Sequence, residues 1–208
     1  MTQARILLVG YYGKGNFGDD VLLTVTHRLL KAALPQATIS VIADGKNGGY
    51  VARMLGDASV LAPGRHGHFD LIVHGGGGVF FDFKPHGLCD HFVEMLLRIV
   101  GFRTYVAAEK IARVVAGKPR SSARHRLGLG IGVGTYTPGS PRLRAGLPIL
   151  ADFAALWVRD AESITNLKRF SGAMKAKLLT GSDLAFLTEH WLPKLLPAKP
   201  VSSRPRLG

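Results

Sequence analysis

Two adjacent carboxylates, Asp19 and Asp20, close the stretch "GYYGKGNFGDD", in which Gly13, Gly15 and Gly18 are spaced G-x-G-x-x-G behind an apolar run. Two chemistries compete for such a stretch. The glycines match the loop that lays a dinucleotide pyrophosphate on bare helix amides, and Asp44 stands where a ribose-binding acid would follow the second strand. The aspartates oppose it. A helix dipole favours an anion by about 1 kcal/mol or less, whereas two unit charges about 4 Å apart repel by about 4 kcal/mol at an effective dielectric near 20. The helix start therefore reads as a tight glycine turn capped by Asp19, with Asn16 and the aspartates turned to ligand hydroxyls.

Two further stretches carry chemistry. In "FDLIVHGGGGVFFD", four consecutive glycines, Gly75, Gly76, Gly77 and Gly78, cost about 0.5 to 1 kcal/mol each against alanine in a regular element. Close approach of a ligand or of another chain segment would justify them. Asp82 either caps the turn or holds a substrate hydroxyl, and His74 is either a core histidine or a donor into a crevice. In "ALWVRDAESI", Arg159 and Asp160 end a strand and Glu162 and Ser163 open a helix. Arg159 either pairs with Asp160 or Glu162, or forks a ligand carboxylate or phosphate, for which its geometry is suited.

The elements that must position these residues follow from periodicity. Apolar runs at Arg5–Val9, Thr38–Ala43, Ser59–Leu61, Asp70–His74, Leu127–Ile131, Ala155–Val158 and Lys177–Leu179 predict strands. Helices are expected over Asp20–Ala33, Gly49–Leu55, Leu88–Ala116, Leu143–Phe153 and Glu162–Phe170. This alternation predicts an α/β fold, a doubly wound and mostly parallel Rossmann-like sheet covered on both faces. The glycine-rich and charged clusters, "TGSD" after the last strand included, fall at strand carboxyl ends, where an open parallel sheet binds ligands. Residues 1–190 are expected to form this domain. Residues 191–208, rich in Pro and Ser, read as a basic tail or linker, and "KPRSSARHR" as a second linker.

Composition bounds the function. At 208 residues and 47% hydrophobic, the chain can bury a core, and its single cysteine, Cys89, excludes an internal disulfide or a cysteine-cluster metal site. Cys89 itself reads as a small buried residue. No signal peptide is apparent, and charges break the most apolar stretch, Leu88–Gly117, so a cytoplasmic location is expected. The net charge of +13 is concentrated in residues 98–126, with 8 basic and 1 acidic side chains, and 194–208, with 4 and 0. Such stretches either form a solvated face or attract a phosphorylated substrate or the headgroups of an anionic membrane. Nucleic acid is excluded as a partner, because neither aromatic–basic interleaving nor helix-turn-helix or zinc spacing occurs.

Taken in order, "GYYGKGNFGDDVLL", "DLIVHGGGGVFFD", "GLGIGVG", "WVRDAESI" and "TGSDLAF" resemble the polysaccharide pyruvyl transferase family across residues 5–187. The resemblance implies a likeness to the N-terminal domain of two-Rossmann-domain (GT-B) glycosyltransferases. It also implies transfer of pyruvate from phosphoenolpyruvate, as donor substrate, onto two hydroxyls of a glycan or lipid-linked sugar as a ketal. No cofactor and no metal are expected. Arg159 matches the family's Arg-Asp position and is expected to hold the donor's carboxylate or phosphate. Asp19, Asp20 and Asp82 are candidate acids and bases, and Asn16, Gly13, Gly18, Gly75–Gly78 and Asp160 are expected to line the substrate site. Family members carry a second Rossmann-like half with an Arg-Leu-His motif, which the terminal "RPRLG" does not supply, so a partner second domain is expected. A nucleotide-sugar glycosyltransferase and a non-catalytic glycan- or anion-binding half are the alternatives, with an oxidoreductase last.

Overall fold

The computed structural model describes residues 3–43, 48–56, 58–64, 67–81, 99, 104, 107, 121–134, 136, 141–169, 174 and 176–191. Among them the chain runs β1 (Arg5–Val9), α1 (Phe17–Ala33), β2 (Thr38–Ile42), α2 (Gly48–Leu55), β3 (Ser59–Leu61), β4 (His68–Phe80), β5 (Ser122–Val133), α3 (Pro141–Ala151), β6 (Ala155–Val158), α4 (Ala161–Lys168) and β7 (Lys177–Thr180). Two 3₁₀ turns, Leu184–Phe186 and Thr188–His190, follow.

All neighbouring strands pair in parallel, in the order β3-β2-β1-β4-β5-β6-β7. This is a Rossmann-like α/β sheet, and its order reverses between β1 and β4, where such sheets open a crevice at the strand carboxyl ends. Helices cover both faces of the sheet's centre, where the strands are apolar. Ile6 and Leu8 face Leu23 and Leu30 of α1 and Val51 of α2, while Leu7 turns to Phe69 and Ile72 on the other face. On that second face Leu150, Phe153 and Leu167 of the α3 and α4 layer pack on Ile131, Leu156 and Val158. Among the described residues no helix is long and apolar enough to cross a membrane.

The strands at Arg5–Val9, Ser59–Leu61 and Ala155–Val158 have the expected bounds, and four corrections concern their neighbours. Gly75–Gly78 are not a loop after the fourth strand but lie inside β4, which continues to Phe80. Pairing with β1 ends at Val9↔His74, so beyond it only β5 flanks β4, and α1 fills the other side. A Cβ on Gly75 would lie 2.6 Å from the Tyr12 hydroxyl and 2.7 Å from Thr26 Oγ1, and one on Gly76 would lie 2.9 Å from the Leu22 side chain. The glycines thus admit another chain segment, and the Tyr12 hydroxyl donates to Gly75 O at 2.7 Å.

The second correction is that Ser122–Arg126 of the supposed linker form the start of β5, paired from His68↔Ser122 to Ile72↔Arg126. The third is that α1 starts at Phe17, before Asp20. The fourth is that Trp191, assigned to the tail, sets its ring edge against Phe17 at 6.0 Å. The expected helix Leu88–Ala116, with Cys89, lies outside the described residues except at Ile99, Thr104 and Ala107. Most of the basic stretch 98–126 and the rest of the tail lie outside them as well.

Positive φ and steric closeness separate two classes of glycine. Gly15 has φ 73 with nothing within 4 Å of a built Cβ, whereas Gly76 has φ 48 and Leu22 against it. Gly15→Ala is expected to cost about 1 kcal/mol for the left-handed backbone alone, and Gly76→Ala about 3 kcal/mol once overpacking is added. Urea unfolding of the two variants measures the difference.

Candidate functional site

At the carboxyl edge, Gly13 and Gly15, both at positive φ, turn the chain from β1 into α1. Asn16, not Asp19, is the N-cap: its Oδ1 accepts from Gly18 N at 3.1 Å, and its Nδ2 donates to Asp19 Oδ2 at 2.7 Å. The third glycine of the motif is therefore the second residue of the helix, and the helix terminus carries its own carboxylate. Loss of water raises the Asp19 carboxyl above the ordinary aspartate range; the Asn16 hydrogen bond opposes this and the charge of Asp20 adds to it. Burial, with the charge of Asp19, drives the Tyr12 phenol far up against the lowering effect of Gly75 O, so Tyr12 stays a donor. Asp20 is only 8% exposed; its Oδ2 accepts from the Tyr50 hydroxyl at 2.8 Å, and among the described residues its Oδ1 has no hydrogen-bond partner.

From Asp19 the floor of the crevice is bare backbone. Asp19 Oδ1 lies 3.4 Å from the place of a Cβ on Gly77, Gly78 pairs with Gly132 of β5, and a Cβ on Gly132 would lie 2.7 Å from Arg159 Nε. A run of glycine backbone thus links the α1 carboxylate to the Arg159 guanidinium, with Leu22 beside Gly77 and the Phe81 ring 3.1 Å from the place of a Cβ on Gly78. Arg159 donates through Nε to Asp160 Oδ2 at 3.1 Å and through Nη1 to Asp183 Oδ2 at 3.3 Å, so its charge is shared between two carboxylates.

Both of those carboxylates are caps. Asp160 Oδ1 accepts from Ser163 N at 2.7 Å at the start of α4, and Asp183 Oδ1 accepts from Ala185 N at 3.0 Å. Partial burial works against the charge of Asp160, but hydrogen bonds from Ser163 and Arg159 outweigh it and hold the carboxyl below the ordinary range. The start of α4 is pinned to β5, because Val133 N donates to Ser163 Oγ at 2.8 Å and Asn166 Nδ2 to Val133 O at 2.9 Å. Leu184, next to Asp183, is buried among Val21, Leu22 and Val25 of α1, over Gly130 at φ 63. The segment that holds Arg159 is thereby docked on the helix that holds Asp19.

Asn16, Asp19, Asp20, Gly77, Gly78, Arg159 and Asp160 are therefore brought to one edge, and Gly13 and Gly18 shape the turn beside them. Gly75 and Gly76 are spent on helix packing. His74 faces away from the crevice: its ring meets Phe153 edge-on at 5.1 Å, and its Nε2 lies 2.7 Å from Arg126 Nη1. Since a guanidinium only donates, Nε2 is the acceptor, and His74 is a core residue. Asp82 and Asp44 lie outside the described residues. Asp183 and Tyr50 were not anticipated; an Asp before the apolar "LAF" is the cap signal that marks the first, whereas nothing local marks the second. Among the described residues no group of three or more His, Cys, Asp or Glu is placed to hold a metal ion.

The class defined here is a Rossmann-like α/β domain with a glycine-floored crevice between an acidic and a basic edge. No protein-family model, curated protein or solved structure matches the chain.

The two shifted carboxyls make opposite contributions with pH. Asp19, raised in the fold, loses stability for the protein as pH climbs from about 4 through its folded value; Asp160, lowered, adds stability above about 4 that disappears as pH falls through its folded value. Asp19→Asn is expected to be more stable than wild type near pH 7 and to lose that advantage near pH 3. Asp160→Ala is expected to cost about 1 kcal/mol near pH 7 and less near pH 2. Urea titrations at the three pH values check both signs.

Proposed function

We propose that this crevice transfers pyruvate from phosphoenolpyruvate to paired hydroxyls of a cell-surface or exopolysaccharide sugar, in concert with a second domain. The observation that carries the proposal is the placement of a raised carboxyl, Asp19, and a guanidinium, Arg159, at the two ends of the Gly77–Gly78–Gly132 strip. The strip offers glycine backbone to a sugar, and the Asp19 carboxylate, 3.4 Å from the place of a Cβ on Gly77, is suited to take a hydroxyl proton there.

The reaction protonates the methylene carbon of the enol, and a sugar hydroxyl traps the resulting cation at the adjacent carbon. Phosphate then leaves and the second hydroxyl closes the ketal. Asp19 is suited to accept the attacking hydroxyl's proton, since a general base works best with its pKa moved toward the working pH. Arg159 is suited to the donor's carboxylate or phosphate. Its charge is already divided between Asp160 and Asp183, so a trianionic donor needs further cations. A donor shared with a second, GT-B-like domain would meet that need.

Phosphate release from phosphoenolpyruvate in the presence of glycan acceptors measures the activity. Asp19→Asn and Arg159→Ala are each expected to lower it by about a hundredfold or more. Failure of every acceptor tried to elicit phosphate release, both from this chain alone and from it together with a second, GT-B-like domain, would overturn the proposal.

The strand order and the G-x-G-x-x-G turn favour a second reading, a nucleotide-sugar glycosyltransferase. Melting in the presence of UDP, GDP or phosphoenolpyruvate separates the two, because only the ligand bound by the native state raises the midpoint.

A further inference from the structure

A buried carboxylate oxygen without a hydrogen-bond partner is costly, and natural proteins seldom keep one without a use for it. Asp20 Oδ1 is such an atom, at the crevice edge and on the first turn of α1. Its sister oxygen is engaged by Tyr50, whose ring, 43% exposed on α2, links the carboxylate to the surface. Having donated its only proton to Oδ2, the Tyr50 hydroxyl keeps lone pairs that can only accept. Two acceptors, Asp20 Oδ1 and Tyr50 Oη, therefore stand side by side, and no donor among the described residues reaches the first. Tyr50 stays protonated in this role, since donation to Asp20 holds its phenol above the ordinary tyrosine range.

We propose that Asp20 and Tyr50 form a diol-recognition subsite, each accepting one hydroxyl of a neutral sugar. A transient rotation of the half-exposed Tyr50 side chain, which takes nanoseconds or less at a surface, admits the sugar to Oδ1, and the hydroxyl then returns to Oδ2. A hydroxyl is the fitting donor because it delivers one proton to one oxygen. Calcium would require about six to eight oxygen ligands, and no third acidic group joins Asp20 among the described residues to begin such a shell. The proposal deepens the pyruvyl-transfer reading and rests on it for the expectation that paired hydroxyls are what the crevice receives; it gives Asp20 a binding role and leaves proton transfer to Asp19.

The probes are methyl α-D-mannopyranoside and methyl α-D-galactopyranoside, with cyclohexanol as the control that lacks a diol, titrated against the whole chain by NMR. At least one glycoside is expected to bind and cyclohexanol not. Asp20→Asn is expected to weaken the glycoside about tenfold, and Tyr50→Phe about threefold to tenfold. Tyr50→Phe keeps the ring and serves where Asp20→Asn fails to fold. Absence of binding by both glycosides overturns the subsite, as does undiminished affinity in folded Asp20→Asn or Tyr50→Phe. Stabilisation by Ca²⁺ or Mg²⁺ that Asp20→Asn abolishes assigns the oxygen to a cation and equally overturns it. Glycoside binding that both variants weaken, without phosphate release from phosphoenolpyruvate even when a second, GT-B-like domain is supplied, upholds the subsite and removes the transfer reading instead.

Discussion

The structure depends on the direct seating of α1 against the end of β4. Past His74 the strand has lost its β1 neighbour, and a helix with side chains as large as Leu22 comes down on backbone alone. Only glycine permits this. Gly75 and Gly76 leave no space for a Cβ, and Gly76 and Gly77 hold positive φ, which side chains rarely adopt. The Tyr12 hydroxyl, buried and held protonated, closes the contact on the Gly75 carbonyl. The entropy that four glycines cost the folded chain is offset by burial of Val21, Leu22, Leu23 and Val25.

That seating determines the electrostatics of the crevice. Because α1 lies so close, its first turn projects over Gly77, and two carboxylates end up where related sheets present empty amides. Partial loss of water raises the Asp19 carboxyl, while Asp20 is pushed inward, where among the described residues Tyr50 alone donates to its carboxylate. The same helix receives Leu184, which brings Asp183 to Arg159. Acidic and basic edges are thus set by one packing event: whatever moves α1 moves both. The Phe17–Trp191 and Arg28–His190 contacts extend the same coupling along the helix.

Much of this was legible in the sequence. The strands Arg5–Val9 and Ala155–Val158 are short apolar runs bounded by turn residues, and their position in the sheet follows from the βα alternation. The glycine run was misplaced because a local reading sees only the backbone freedom of glycine and takes it for a loop; the helix that demands it lies some fifty residues earlier in the chain. Ser122–Arg126 read as a linker because they are polar and basic. They are a strand because Arg126 reaches a buried imidazole acceptor, His74, on the neighbouring strand. Asn16 and Asp19 exchanged capping roles, a difference of one hydrogen bond that either residue type can make. Tyr50 had no signal at all, since a tyrosine in a short amphipathic helix is ordinary until its hydroxyl is found on a buried carboxylate.

The pairing of Arg159 with two caps bears on what the basic edge can do alone. A guanidinium forked by Asp160 and Asp183 is oriented before any ligand arrives, flat against Gly132, so little side-chain entropy is lost on binding. Its net attraction for an anion is reduced by the same carboxylates, each of which would repel the ligand that Arg159 attracts. Removing either costs the fold a cap, because Asp160 starts α4 and Asp183 starts the turn that seats Leu184. The edge is therefore built for geometry rather than strength. An anion bound at this edge alone would be well oriented and weakly held, because the two carboxylates that fix the guanidinium also offset its charge.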